Sequence, residues 1–189
     1  MNLFLNAVTS NGVLILFDDK RKIIDKEIFS ILLNESSKLV PIIDNFIKKN
    51  NLPYSDIDNI VVVNGPGSFT GVRTISLVVN TLSYTFENIK LTPIVYFDLF
   101  ENFPIAKASS KRDLFVKKSK DDIIEIIKNE DFIKYIEENS IKEVFGENFD
   151  FNSLTKSNDG INYETVIGEI KFENKKQIEA YYLKKPSIS

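Results

Sequence analysis

Between Asn64 and Arg73 the chain reads Asn-Gly-Pro-Gly-Ser-Phe-Thr-Gly-Val-Arg, placing three of its seven glycines, two hydroxyls and a guanidinium in one short stretch. The apolar run Ile60-Val61-Val62-Val63 precedes it and a long apolar-periodic segment follows, so it reads as a strand, a tight glycine turn and a helix N-terminus. Backbone amides at such a helix start, joined by the Ser68 and Thr70 hydroxyls and by Arg73, suit an anion or a partner's carboxylate. The spacing narrows that chemistry. A Walker A loop needs Lys and then Ser or Thr after its last glycine, whereas Val72 and Arg73 follow Gly71. The dinucleotide fingerprint needs G-x-G-x-x-G, whereas Gly65, Gly67 and Gly71 are spaced G-x-G-x-x-x-G. Residue chemistry therefore favours a structural role. Gly65 and Gly67 permit unusual dihedrals, Ser68 or Thr70 caps the helix, and Gly71 allows close packing.

The absent residue types exclude whole classes of chemistry. The 189-residue chain has no cysteine, hence no thiolate metal site, disulfide or cysteine nucleophile. It has no histidine either, which removes Ser-His-Asp and Cys-His catalysis and imidazole-bound zinc. A metal would need oxygen ligands, and no metal or cofactor is expected. With 24 basic and 27 acidic residues the net charge is -3, so the chain is not expected to hold nucleic acid through its own basic surface. No basic and apolar leader opens the sequence and no apolar run approaches transmembrane length, which makes the cytoplasm the expected compartment.

The elements that would position the turn follow from hydrophobic periodicity. Residues 2 to 8 and 12 to 18 are apolar runs separated by Thr9-Ser10-Asn11-Gly12, a hairpin signal, and Ile23 to Phe29 adds a third antiparallel strand. Leu39, Ile42, Ile43, Phe46 and Ile47 fall at helical spacing from about Glu35 to Asn50, with Pro41 a candidate kink. A strand over 59–63, a helix over about 70–86 and a strand over about 91–96 complete a first lobe, taken as 1–103. The second, 104–189, is expected to hold strands at 105–108 and 114–116, helices at 121–128 and 131–138, and a strand at 141–145. A turn at Asn158-Asp159-Gly160 and strands over 165–172 and 178–183 would close it.

The helix behind the turn is unusual because no charged residue occurs between Arg73 and Glu87. Val72, Ile75, Val79, Leu82 and Phe86 form one stripe, while Thr74, Leu77, Thr81 and Tyr84 lie roughly opposite. A surface helix normally carries charge on its outer face, so this one is expected to bury one face in its own core and the other against a second chain. Thr74, Leu77, Val78, Thr81 and Tyr84 are the expected interface residues; cover by the second lobe is the alternative.

Gly65-Pro66-Gly67-Ser68-Phe69-Thr70-Gly71-Val72-Arg73 resembles the signature of the bacterial TsaB (YeaZ) family. Leu39-Val40-Pro41 and Tyr182-Leu183-Lys184 are similar to further family segments, and the likeness covers the first lobe better than the second. The resemblance implies an α/β, actin-like (ASKHA) fold of two ribonuclease-H-like lobes, here with the second reduced. It also implies a non-catalytic role: activating TsaD, which carries a metal on paired histidines and transfers the threonylcarbamoyl group to the adenosine beside the tRNA anticodon. TsaE, an ATPase, joins the pair, a homodimer can replace it in isolation, and tRNA is met only within the complex. On this reading Gly65, Pro66, Gly67, Ser68, Phe69, Thr70, Gly71 and Arg73 are partner-binding motif residues. The family's first strand usually ends in Asp-Thr, where this chain has Asn6-Ala7, and that loss weakens a metal–nucleotide site. The competing reading is an actin-like ATPase or sugar-kinase-type phosphotransferase. A peptidase lacks the residues for it.

Overall fold

The computed structural model describes residues 1–9, 11–30, 36–109, 112–146 and 160–183. Ser10, Asn158, Asp159 and Lys184, which carried expectations about turns and motifs, lie outside the described residues, as does the side chain of Phe69. The chain forms two compact units, 1–96 with 167–189, and 97–166. This corrects the expected division at 103/104, because the last segment returns to the first unit instead of finishing the second.

In the first unit, β1 (Asn2–Asn6), β2 (Asn11–Phe17) and β3 (Ile23–Ser30) form an antiparallel meander. Next come α1 (Leu39–Lys49), β4 (Asn59–Val63), α2 (Phe69–Thr85) and β5 (Lys90–Ile94). The sheet order is β3-β2-β1-β4-β5, with β4 parallel to both β1 and β5. Parallel neighbours need a crossover, and α2 supplies it between β4 and β5. Strands β1, β4 and β5 therefore end at one edge of the sheet, and the glycine turn leaves β4 there.

Alternation explains the packing. Leu3 and Leu5, Leu14 and Leu16, and Ile60 and Val62 share a core with Ile43, Phe46 and Ile47 of α1 and Ile75 and Val79 of α2. Phe4, Ile15, Val61 and Val63 between them are buried too, so the central strands are apolar throughout. The edge strand β3 instead alternates half-buried with exposed residues and carries Asp25, Lys26 and Glu27, which discourage pairing with another chain. Pro41 lies in the first turn of α1, where its missing N–H has no helical partner to lose, so no kink is needed.

The second unit holds β6 (Ile105–Ala108), β7 (Asp113–Lys117), β8 (Glu125–Lys128), α3 (Phe132–Glu138) and β9 (Phe145–Gly146), in sheet order β8-β7-β6-β9. The expected helix at 121–128 is instead strand β8. Its Ile127 faces Leu114 across the ladder and enters a core with Val116, Phe132 and Ile136, a position the β-branched residues favour. The expected strand over 165–172 is also corrected: α4 (Tyr163–Glu169) forms there, its start capped by Asn162 Oδ1 accepting from the Glu164 and Thr165 amides at 3.1 and 3.3 Å. Residues 170–183 form no strand, and one bridge, Leu91 to Lys175, joins them to the sheet. Among the described residues no helix is long and apolar enough to cross a membrane.

Candidate functional site

The glycine turn is tied at both ends, at Asn64 and Gly65 on the sheet side and at Ser68 on the helix side. Asn64 N–H donates to Ile94 O at 3.0 Å, its carbonyl accepts from Tyr181 N at 3.0 Å, and Gly65 O accepts from Tyr96 N at 2.7 Å. The Asn64 side chain donates to Glu179 O at 2.8 Å. Glycine is obligatory at position 65 for two separate reasons. Its φ is +141°, and a Cβ there would sit 2.4 Å from the Tyr181 carbonyl oxygen. Pro66 is buried and Gly67 half-buried beside Val8 and Val72.

The helix start is self-capped. Ser68 Oγ accepts from Gly71 N at 3.1 Å, and Ser68 O accepts from Val72 N at 3.0 Å. Ser68 is thus the cap and Thr70 is not. A Cβ at Gly71 would lie 2.7 Å from that same cap oxygen, which ties the third glycine to the capping geometry. The cap already engages an amide that an anion would want, so the turn is built to launch a helix more than to cradle phosphate.

Helix α2 has two different faces. Val72, Ile75, Ser76, Val79 and Ser83 are buried, and Ser83 donates to Ile89 O at 2.8 Å. On the other side Thr70, Arg73, Leu77, Thr81 and Tyr84 are exposed, Leu77 at 68% and Tyr84 at 89%. Thr74 and Val78 are half-buried at the margin. The hydroxyls on this face donate back one turn, Thr74 to Thr70 O at 3.0 Å and Thr81 to Leu77 O at 2.9 Å. The Thr74 and Thr81 donors are satisfied within the helix, so covering this face between Thr74 and Thr81 strands neither threonine proton and buries no charge, the one ionic group of the face being Arg73 at its start.

Sequence reading missed the segment that fastens this assembly. Asn80, on α2, exchanges two hydrogen bonds of 2.9 Å with the backbone of Ile178, one from its amide to Ile178 O and one from Ile178 N to its oxygen. Upstream, Glu173 N donates to Thr92 Oγ1 at 3.0 Å, and Lys175 exchanges backbone bonds of 2.7 and 3.0 Å with Leu91. The Arg21 guanidinium donates to Ile170 O at 2.9 Å and lies 4.0 Å from the Phe172 ring centroid. Residues 170–181 therefore form a strap from the β2–β3 turn to the glycine turn. The available signal was Asn80 itself, the one carboxamide in an uncharged helical stretch.

No curated protein sequence matches the chain. The family described as "TsaD: tRNA N6-adenosine threonylcarbamoyltransferase" matches residues 33–95, which include α1, the glycine turn and α2. Among solved structures, YeaZ from Pseudomonas aeruginosa superposes with a TM-score of 0.50 and 18% identity, over 67% of this chain and 63% of that one. A structure described as an uncharacterized protein with similarity to peptidase YeaZ from Pseudomonas aeruginosa gives 0.51 and 17%, over 67% and 62%. The chain shares the YeaZ fold. It thus spans less than two thirds of either chain, and its two sheet-containing units with flanking helices are consistent with an actin-like architecture.

Asn6, where the sequence resemblance leads one to expect a carboxylate, closes β1. Asn6 is fully buried; its Oδ1 accepts from Val8 N at 3.2 Å, and its Nδ2 has no hydrogen-bond partner among the described residues. An amide holds no charge against a cation, and among the described residues no three His, Cys, Asp or Glu side chains group as metal ligands.

Proposed function

We propose that this chain is a non-catalytic partner subunit of the TsaB (YeaZ) type, which binds and activates a TsaD threonylcarbamoyltransferase acting on the adenosine beside the tRNA anticodon. The observation that carries the proposal is the outer face of α2, uncharged from Thr74 to Phe86, exposed at Leu77, Thr81 and Tyr84, and satisfied internally at the Thr74 and Thr81 hydroxyls. Such a face suits burial against another helix. The sheet order β3-β2-β1-β4-β5 supports a ribonuclease-H-like lobe, hence an actin-like fold with a reduced second lobe. The match to the transferase family lies in the part holding α1 and α2, whereas the transferase role calls for paired histidines and this chain has none.

In this reading Gly65 to Gly71 set the angle at which α2 leaves the sheet, and Ser68, Thr70 and Arg73 form the near margin of the contact. Leu77, Thr81 and Tyr84 form its centre, flanked by Thr74 and Val78. An ATPase of the TsaE type joins through the pair, tRNA is met only in the assembled complex, and the isolated chain pairs with itself through the same face in the cytoplasm. Mixing the purified chain with its cognate TsaD is expected to give co-elution and to raise the rate of tRNA modification. Absence of both overturns the proposal.

A further inference from the structure

Beyond Tyr84 the outer face of α2 runs into an open depression of about 750 Å³. Asn80, Thr81 and Tyr84 line it from the helix, Lys90 from β5, and Lys176 and Gln177 from the strap. Its charge is not balanced. Two ammonium groups face one carboxylate, that of Glu87, and the Lys176 ammonium spends its hydrogen bonds on the backbone carbonyls of Glu87 and Ile89.

Other lysines of the molecule are held differently. Lys49 and Lys118 are raised above the ordinary lysine value, first of all by hydrogen bonds to Asp25 and Glu125 respectively. Lys176 moves the other way, through partial desolvation and then through Lys90 beside it. The depression, with two ammonium groups against one carboxylate, therefore gains from a negative charge beyond that of Glu87, which the described residues lining it do not supply. Its wall includes Thr81 and Tyr84, so it continues directly from the uncharged face that carries the proposed contact.

We propose that the docking surface is composite: the outer face of α2 receives the apolar side of a partner helix, and Lys90 with Lys176 receives a carboxylate side chain projecting from that same partner. The inference rests on the docking function proposed above and adds the partner's charge pattern to it. A protein carboxylate is favoured over a free anion because the depression is open and adjoins an apolar surface instead of closing around a ligand. The strap is thereby part of the surface, since it carries one of the two ammonium groups.

The test is calorimetric titration of the full chain with its cognate transferase at about 50 and about 300 mM NaCl. The paired substitutions Lys90→Gln and Lys176→Gln are expected to weaken binding about 3- to 10-fold at the lower salt and to flatten the salt dependence. Lys90→Arg with Lys176→Arg is expected to preserve both. Because Lys176 also holds two carbonyls, Lys90→Gln alone serves as the variant that leaves the strap intact, and it should reproduce part of the loss. If Leu77→Asp abolishes binding while the lysine variants match the wild type in affinity and salt dependence, the carboxylate site is wrong and the docking face stands. If Leu77→Asp binds normally, or the wild type does not bind at all, the docking function itself is wrong. Saturable binding of inorganic phosphate that the glutamine pair removes without changing transferase affinity would make this a small-anion site and overturn the inference.

Discussion

Helices α1 and α2 pack on the same face of one sheet and share a core, yet their outward faces are finished in opposite ways. α1 buries Leu39, Ile43, Phe46 and Ile47 and closes its exposed side with ions: Lys48 meets Asp44 at 2.6 Å, and Lys49 meets Asp25 of β3 at 2.9 Å. α2 buries Val72, Ile75 and Val79 and offers water a leucine, a tyrosine and threonines bonded to their own backbone. Packing demands of the core do not explain the difference, because both helices meet them. What differs is the outer finish: ion pairs on α1, and on α2 an uncharged face that the proposed docking function would cover.

The comparison breaks most severely at the root of α2. Gly65→Ala combines a disfavoured backbone angle with a Cβ driven onto the Tyr181 carbonyl, and is expected to cost on the order of 2–4 kcal/mol in urea unfolding. Partner binding should fall with it. Gly168→Ala, on the short helix α4 with open space around its Cβ, is the matched control and should change little.

A sharper separation comes from placing charge on each outer face. Leu77→Asp is expected to leave stability within about 0.5 kcal/mol of wild type while weakening transferase binding by about 2 kcal/mol or more, roughly 30-fold. Lys48→Glu on α1 should leave that affinity unchanged. Equal effects from the two would erase the distinction between the helices. Circular dichroism melts on both variants separate lost contact from lost folding.

The strap supports one helix and not the other, which gives a smaller effect. Asn80→Ala removes both bonds to Ile178 and is expected to cost about 1–3 kcal/mol. Amide exchange should then quicken from Ile178 to Tyr181 while α1 keeps its protection. Unchanged exchange along the strap would show that Asn80 does not hold it.

These positions also show how much the sequence discloses. The glycine turn, a hydroxyl cap at Ser68 or Thr70 and both helices were legible because each is written in local chemistry: special dihedrals, a hydroxyl near a helix start, an apolar period of 3.6; only the structure chose Ser68. The C-terminal strap was not. Its backbone is satisfied by the side chains of Asn64, Asn80 and Thr92, from residues roughly a hundred positions away, and no period in 170–183 records that. The second unit misled for a related reason. Ile123, Ile124, Ile126 and Ile127 fit helical spacing, and only the tertiary partner Leu114 decides that Ile127 belongs to a strand.

The smallest expected effect concerns the charged finish of α1. Asp25 lies below the ordinary carboxylate value, first because Lys49 hydrogen-bonds it. A carboxyl lowered in the folded state adds stability above its unfolded value and loses it as pH falls through the folded one. Asp25→Asn should therefore lower the melting temperature slightly at neutral pH and not at all in strong acid. Binding to the transferase should be unaffected.

The account's central claim is that α2, and not α1, is the face a partner covers, and cysteine labelling tests it most directly because the native chain has no cysteine. Tyr84→Cys and Lys48→Cys variants are each treated with a maleimide, with and without the cognate transferase. The account predicts that the transferase slows labelling at position 84 at least about tenfold and leaves position 48 unchanged, a ratio expected of a residue buried at an interface centre. Equal labelling at position 84 with the complex formed, or protection at position 48 instead, would contradict it.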